Sequence, residues 1–524
     1  MKVFKFGGAS VKDAPSIKNV SAILTRFSGQ KIIVVVSAMG KTTNKLEEIV
    51  AAYLAQDQKT FVGLVDELQA YHLEIAAGLF PDKHFHIFGL LDEIFADLRA
   101  QIQRKPSDNH AFVYDQIVSL GELLSSRIVN AYLLDQGFNS QWLDARSIIR
   151  TDNKYQEGQV DWPKTEALCQ QLVLPLFQTH DILMTQGFIG HTSEGFTTTL
   201  GREGSDYSAG ILAYCCAAHD VTIWKDVPGM LNADPKYFTD TQLLEHISFK
   251  EAIELSYYGA SVIHPKTVQP LQQKDIPLYV KSFLDPEAKG TQISSSALHD
   301  SKIPSFIVKK EQLLLTISSK DFSFIAEKHL SDIFETLAYL QIPINIMQNS
   351  ALNFSILVDR KKVKMDALNA AFASKYSIRY NEGLELVTIR HYDQHTIDQM
   401  TSGKEIILEQ RTRNTARFVL RYLEWFKIPQ KWCSNSTNCF VNLGMPNTLD
   451  TIALHKLVEI TSISASPFAS KLTEMGLTQG QYIKALFKAP FGDPIAFECN
   501  GNVLSMRKDE ARFIEVKSAW RKFD

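Results

Sequence analysis

Near the amino terminus, Val3-Phe4-Lys5-Phe6 is a short apolar run that ends in Gly7, Gly8 and Ser10 ahead of a helix-compatible stretch. Such a turn lets backbone amides approach a phosphate with no side chain in the way, and a lysine beside it is a natural phosphate ligand. A second apolar run ends at Ser37-Ala38-Met39-Gly40, and Thr42-Thr43-Asn44 opens the next helix. Free N–H groups there favour an anion, although a Thr-Asn pair serves equally as an ordinary helix cap. Glu122 follows Ser119-Leu120-Gly121 at a helix start, where an acid is compatible with the helix dipole. Two further segments carry charge beside turn residues: residues 198–206, with Arg202, Ser205 and Asp206, and residues 224–229, with Lys225 and Asp226.

The elements that must position these residues alternate. Val3 to Phe6, Lys31 to Ser37, Asn139 to Leu143, Asp181 to Thr185, Val221 to Trp224 and Pro277 to Val280 are apolar runs bounded by turn residues, as buried parallel strands should be. Helix-period stretches lie between them at Ser16 to Phe27, Tyr114 to Gln136, Pro163 to Gln178, Ser205 to Ala218 and Phe249 to Tyr258. Strand and helix in series imply an α/β domain over residues 1–300, a mostly parallel sheet sandwiched by helices. Residues 58–104 carry no strand signal and read as a helical insertion.

Residues 301–422 read as βαββ followed by a weaker repeat of the same pattern, which suggests two small α+β modules packed sheet to sheet. Residues 423–447 show no clear period and read as a linker, and residues 448–519 carry short strands separated by Gly and Pro, as in a small β-barrel.

With 524 residues the chain exceeds one hydrophobic core, and its 45% apolar content supports several. A net charge of -3 offers no electrostatic reason to expect nucleic acid or an anionic membrane as partner. Neither a leader segment nor an uncharged apolar run long enough to span a bilayer is evident, so a cytoplasmic location is expected. The six cysteines show no paired metal spacing; Cys433 and Cys439 leave a metal or redox role as the lesser reading.

Taken in order and spacing, the segments around Lys5, Glu122, Arg202 and Asp226 resemble the aspartate kinase branch of the amino-acid kinase family over roughly residues 1–420. That resemblance implies transfer of the ATP γ-phosphoryl group, with Mg²⁺ bound to the nucleotide, to the β-carboxylate of L-aspartate, the first step toward lysine, threonine and methionine. A carboxylate acceptor is already ionised at neutral pH, so such a site needs no general base and must neutralise charge and align two anions. The family's pattern implies catalytic roles for Lys5 and Asp206. It also implies substrate contacts from Thr43, Glu122 (to the α-amino group), Arg202 (to the α-carboxylate, through a planar fork) and Ser205. For ATP it implies Lys5, Gly7, Gly8, Ser10, Lys225 and Asp226. Glu203 stands where many relatives have glycine, and Ser261 where many have an ATP-contacting lysine. Lys266 either supplies that charge or is a solvated surface lysine.

The βαββ modules resemble paired ACT domains, which implies a homodimer or higher homo-oligomer and an amino-acid effector site. Asn345, Asn349 and Ser350 are the regulatory candidates, in a stretch altered from the family's usual one. Residues from about 450 to 517, with Ala489-Pro490-Phe491-Gly492-Asp493-Pro494, resemble the FeoA family of SH3-like barrels. That tail is expected to dock a protein partner or to be a structural appendage, with no metal ligands of its own. Two rivals stay open: an amino-acid kinase of another substrate, and a weakly active sensor coupled to iron status through the barrel.

Overall fold

A computed structural model describes residues 1–82, 85–260, 262–321, 323–422, 447–452, 457–463, 472, 477–488, 494–499 and 502–518. The chain divides into two compact units, Met1–Lys427 and Ile428–Asp524.

The first unit begins with the strands β1 (Lys2–Phe6), β2 (Ile32–Val36), β3 (Ser140–Trp142), β4 (Ile182–Gln186), β5 (Ile189–His191), β6 (Thr197–Thr199), β7 (Asp220–Lys225), β8 (His246–Ser248), β9 (Leu278–Ser282) and β10 (Thr291–Ser294). Its helices are α1 (Ala14–Thr25), α2 (Thr42–Leu54), α3 (Gln58–Leu79), α4 (His86–Gln101), α5 (His110–Val118), α6 (Leu120–Asp135), α7 (Trp162–Leu168), α8 (Gly204–Cys215), α9 (Phe249–Tyr258) and α10 (Pro265–Gln273). Eight strands form one sheet in the order β3-β4-β2-β1-β7-β9-β10-β8, and β5 and β6 make a separate hairpin. The strands from β3 to β9 in that order run parallel; β10 turns antiparallel to β9.

Period-two alternation assigns each strand residue to one of two cores. Phe4, Phe6, Val34, Val36 and Trp224 join the core that takes in α1 to α6, whereas Val3, Val35, Val221 and Ile223 join the core that takes in α8. Lys5 lies between Phe4 and Phe6, so its side chain emerges on the α8 face. The chain passes from β1 to β2 on one side and meets β7 on the other, so loops diverge at the carboxyl ends of these strands and leave a crevice.

Two expected helices break. The Tyr114 to Gln136 stretch is α5 and α6, joined at Ser119. The Pro163 to Gln178 stretch is α7, then a π turn over Cys169–Val173 and a 3-10 turn over Leu174–Gln178, because Pro175 has no N–H to continue an α ladder. Helices α3 and α4 fill the expected insertion. Among the described residues one stretch, His110–Asp135, is long and apolar enough to cross a membrane, and 83% of its most apolar window is buried within the fold.

Then come β11 (Ser305–Ser319), α11 (Glu327–Tyr339), β12 (Ile344–Asn349), β13 (Asn353–Asp359), α12 (Met365–Phe372), β14 (Tyr376–Arg390), α13 (Gln394–Thr401), β15 (Lys404–Arg411) and β16 (Thr415–Tyr422). Here the expectation of two sheets packed together is corrected. β11 and β14 are 15 residues each and pair along both halves, so the modules share one six-stranded sheet, β12-β13-β11-β14-β16-β15. Bulges near Lys309 to Leu314, with Glu311 at φ 55°, bend β11 between the halves.

In the second unit β17 (Asn447–Thr448), β18 (Leu457–Ile463), β19 (Tyr482–Lys488), β20 (Ile495–Cys499), β21 (Asn502–Met506) and β22 (Ile514–Ser518) form an antiparallel sheet, β17-β22-β18-β19-β20-β21, over a core including Val458, Ile460, Ile483, Phe497 and Ile514. The linker with Cys433 and Cys439, the Pro490 to Asp493 turn and Ser261 lie outside the described residues.

Candidate active site

A cleft of about 860 Å³ opens at the carboxyl ends of β1, β2 and β7. Lys5, Gly8, Thr43, Glu122, Arg202, Ser205, Asp206 and Lys225 line it, so residues that span more than two hundred positions of sequence meet in one place. Lys5 Nζ lies 2.5 Å from Asp206 Oδ1, and Lys225 Nζ lies 3.2 Å from Asp206 Oδ2. Burial opposes ionisation of Asp206, but the Lys5 and Lys225 ammonium groups outweigh it and hold the carboxyl below its ordinary range. Asp206 reaches this position from the first turn of α8, where a carboxylate also suits the helix dipole. Lys225 additionally donates to the Val262 carbonyl, which anchors the loop between α9 and α10.

Gly8 is required by close approach: a Cβ there would lie 2.7 Å from the Ala38 carbonyl oxygen. The two loops are laced together by Gly40 N–H donating to Gly8 O at 3.0 Å, with Gly40 at φ 52°. Ser10 is buried in a 3-10 turn over Gly8–Val11, and Gly7 stands beside the Lys5 ammonium. On the other wall a Cβ at Gly187 would fall 2.5 Å from that of Ser205, so the end of β4 is pressed against the start of α8.

Glu122 is buried at the start of α6 and accepts from Ala38 N–H at 3.2 Å. Its Oε2 has no hydrogen-bond partner and is shut off from solvent. Burial pushes its pKa up to about 8, against the pull of the Ala38 amide and the Lys5 charge. A cation entering the cleft beside Glu122 would meet an acceptor with nothing else to bind. Arg202 is exposed at the mouth and has no ion pair among the described residues. Glu203, next to it, holds the left-handed conformation at φ 54° as the residue before α8, and its buried Oε2 is also unpartnered.

Asp226 is exposed and lies outside the cleft lining, as does half-buried Lys266 at the start of α10. The second cation on Asp206 is therefore Lys225, one residue before Asp226. Lys266 acts on Glu157, a lining residue whose carboxyl is held below its usual range first by Lys154 and then by Lys266. Among the described residues there is no cluster of three or more carboxylate, imidazole or thiol ligands.

Several lining residues gave no sequence signal strong enough to single them out: Tyr114, residues 154–157, Phe188 and, from the turn after α11, Gln341. Asp115, just behind the lining, is fully buried and also escaped notice. Its spacing of seven residues from Glu122, on an otherwise apolar helical stretch, was the available clue.

The regulatory candidates engage in internal bonds. Asn345 Oδ1 accepts from Lys309 Nζ at 2.8 Å, and its Nδ2 donates to Gln312 Oε1 at 2.9 Å and Asp359 Oδ1 at 3.0 Å. An aspartate at 345 would have no donor for Asp359 and would set two carboxylates together, which explains the amide. Lys309 lies against the end of α9, where a Cβ on Gly259 would come within 2.8 Å of Lys309 Cε, so Asn345 sits in the seam with the catalytic domain. Asn349 donates to the Ile325 carbonyl, and Ser350 closes its own turn onto Asn353.

An eight-stranded α/β sandwich with paired lysines on a buried carboxylate at its strand ends defines a protein built to hold small anions. The chain belongs to the amino acid kinase family, whose profile matches residues 1–282. Residues 447–518 match the FeoA domain. The chain is 29% identical over 357 residues to the lysine-sensitive aspartokinase 3 of Escherichia coli, covering 68% of this chain and 78% of that protein. It is 34% identical over 293 residues to the E. coli bifunctional aspartokinase/homoserine dehydrogenase 2, covering 56% of this chain and 35% of that one. Among solved structures it resembles E. coli aspartokinase III in complex with aspartate and ADP (R-state), with TM-score 0.66, 26% identity, and coverage of 80% of this chain and 96% of that chain. The lysine and aspartate complex (T-state) of the same enzyme gives TM-score 0.68 at 26% identity, again covering 80% and 96%.

Proposed function

We propose that the protein is an aspartate kinase, which moves the γ-phosphoryl group of ATP to the β-carboxylate of L-aspartate and yields 4-phospho-L-aspartate and ADP. The observation that carries this reading is the cleft itself, where two lysines on Asp206 share one space with Glu122 and Arg202. Glu122 and Arg202 carry the two charge signs that complement an α-amino acid: an acceptor for its ammonium and a fork for its α-carboxylate. That grip leaves the β-carboxylate to face the cation pair. A carboxylate oxygen attacks the γ-phosphorus, the bond to the β–γ bridging oxygen breaks, and its electron pair leaves on ADP. No proton has to move. Lys5 and Lys225 neutralise the charge spread over the transferring oxygens, and Asp206 keeps both ammonium groups aimed. Mg²⁺ held on the nucleotide's phosphate oxygens would supply further neutralising charge.

The E. coli aspartokinase III complexes with ADP, aspartate and lysine support both the substrates and an amino-acid effector. We place the effector on the shared sheet of the two modules, where exposed Met347, Leu352, Tyr380 and Ile406 suit a second copy of the chain. The FeoA-like unit is assigned an accessory role toward a protein partner, and the reaction is placed in the cytoplasm with its ATP supply. A coupled ADP-release assay with ATP, Mg²⁺ and a panel of aspartate, glutamate, acetate and carbamate tests the assignment, repeated with lysine, threonine and methionine. Turnover is expected with aspartate. Turnover with another acceptor and none with aspartate would overturn it.

A further inference from the structure

We infer that Asp115 is a positioning residue for the amino-acid substrate, setting the separation between the two groups that grip it; this rests on the proposed use of aspartate. Asp115 lies on α5, its exposure is 0%, and it touches no space a substrate could enter. Its carboxylate collects three donors from two different segments. Thr199 gives its N–H and its hydroxyl, each at 2.8 Å, and Gln156 gives its N–H at 3.0 Å from Oδ2.

Each partner leads directly to a wall of the cleft. Thr199 ends β6 three residues before Arg202, and Gln156 belongs to the 154–157 loop, which also lines the cleft. These segments also meet each other, with Gly158 N–H donating to Thr199 O at 2.9 Å. On its own side Asp115 is seven residues from Glu122, across the break at Ser119, and both residues are buried. Asp115 on α5 therefore ties the helix pair whose second member carries Glu122 to the end of β6, whose following turn carries Arg202.

A carboxylate suits this place best. Its two oxygens offer about four acceptor sites and no donor, so all three donors are met. An amide offers one oxygen, and with that oxygen in the Oδ2 position its NH₂ is set against the Gln156 N–H, which now also donates to Oδ1 at 3.2 Å. Burial pushes the Asp115 pKa up to about 6 while the Gln156 and Thr199 donors pull it back, which agrees with an ion kept in place by those bonds.

The test is Asp115→Asn in the full chain, with thermal unfolding measured first and KM for aspartate and for ATP measured separately. The aspartate KM is expected to rise on the order of tenfold, with the ATP KM within about twofold of wild type, because one or two buried hydrogen bonds on the amino-acid side are lost. Thr199→Val removes one donor with little change of shape and carries the same test should Asp115→Asn fail to fold; a smaller rise of the same kind is expected. Unchanged kinetics in a folded variant would overturn the inference, and so would activity lost only in proportion to unfolded protein with both KM values unchanged. Wild-type protein inert toward aspartate would overturn the proposed function, and this inference with it.

Discussion

The Lys5 ammonium rests 2.5 Å from Asp206 Oδ1, both side chains less than one-tenth exposed. One residue comes from the first strand and the other from the first turn of α8, so the pair joins the central sheet to the helix packed on it. Buried charges are tolerated when paired, and here the pairing leaves a net positive charge, because Lys225 shares the same carboxylate. An incoming anion completes the neutralisation that Asp206 alone cannot supply.

Replacing Lys5 should therefore remove transition-state stabilisation more than binding. Lys5→Ala is expected to lower kcat by about 10² to 10³, the usual cost of one preorganised electrostatic group, with a smaller change in the aspartate KM. Steady-state rates at varied ATP and aspartate measure both parameters.

Arg202 stands at the cleft mouth with its guanidinium free of ion pairs among the described residues. Arg202→Lys keeps the charge and loses the fork, so the aspartate KM should rise about tenfold or more while kcat changes less. The same titrations separate the two effects.

The Glu122 carboxyl, pushed up to about 8 by burial, holds its proton at neutral pH in the empty cleft. Its folded value lies above the ordinary 4.5, so the stability it contributes is fully present below about pH 4.5 and is lost as pH rises toward 8. Aspartate brings an ammonium group that favours the ionised form. The aspartate KM should therefore fall several-fold between pH 6.5 and about 8, and Glu122→Gln should flatten that profile, as initial rates across the range will show.

Glu203 holds φ 54°, a conformation glycine takes without cost, and buries an unpartnered carboxylate oxygen. Glu203→Gly should raise stability by about 1 kcal/mol, read as a higher Tm, while aspartate turnover is retained.

Most of the cleft was legible because its residues sit at strand ends beside glycines, where geometry and residue type agree. Lys5 between Phe4 and Phe6 even declares its face by alternation. Asp115 was harder to single out: its one local clue is the seven-residue spacing to Glu122, and its partners Gln156 and Thr199 lie 41 and 84 residues away. Strands β5, β6, β8 and β10, of three or four residues each, are too short to show a period. The joined regulatory sheet depends on the register of β11 with β14 across a bulge, which is a tertiary property. Lys225 and Asp226 are neighbours in sequence, and only the fold separates the one that faces Asp206 from the one that faces solvent.

The central claim is that the phosphoryl group lands on the side-chain carboxylate of aspartate. Acyl phosphates react with hydroxylamine, so incubation with ATP, Mg²⁺ and L-aspartate followed by hydroxylamine reads the acceptor atom directly. Formation of aspartate β-hydroxamate matching the ADP released, and reduced about a hundredfold or more in Lys5→Ala, is the expected result. ADP released without hydroxamate, or hydroxamate undiminished in Lys5→Ala, would contradict it.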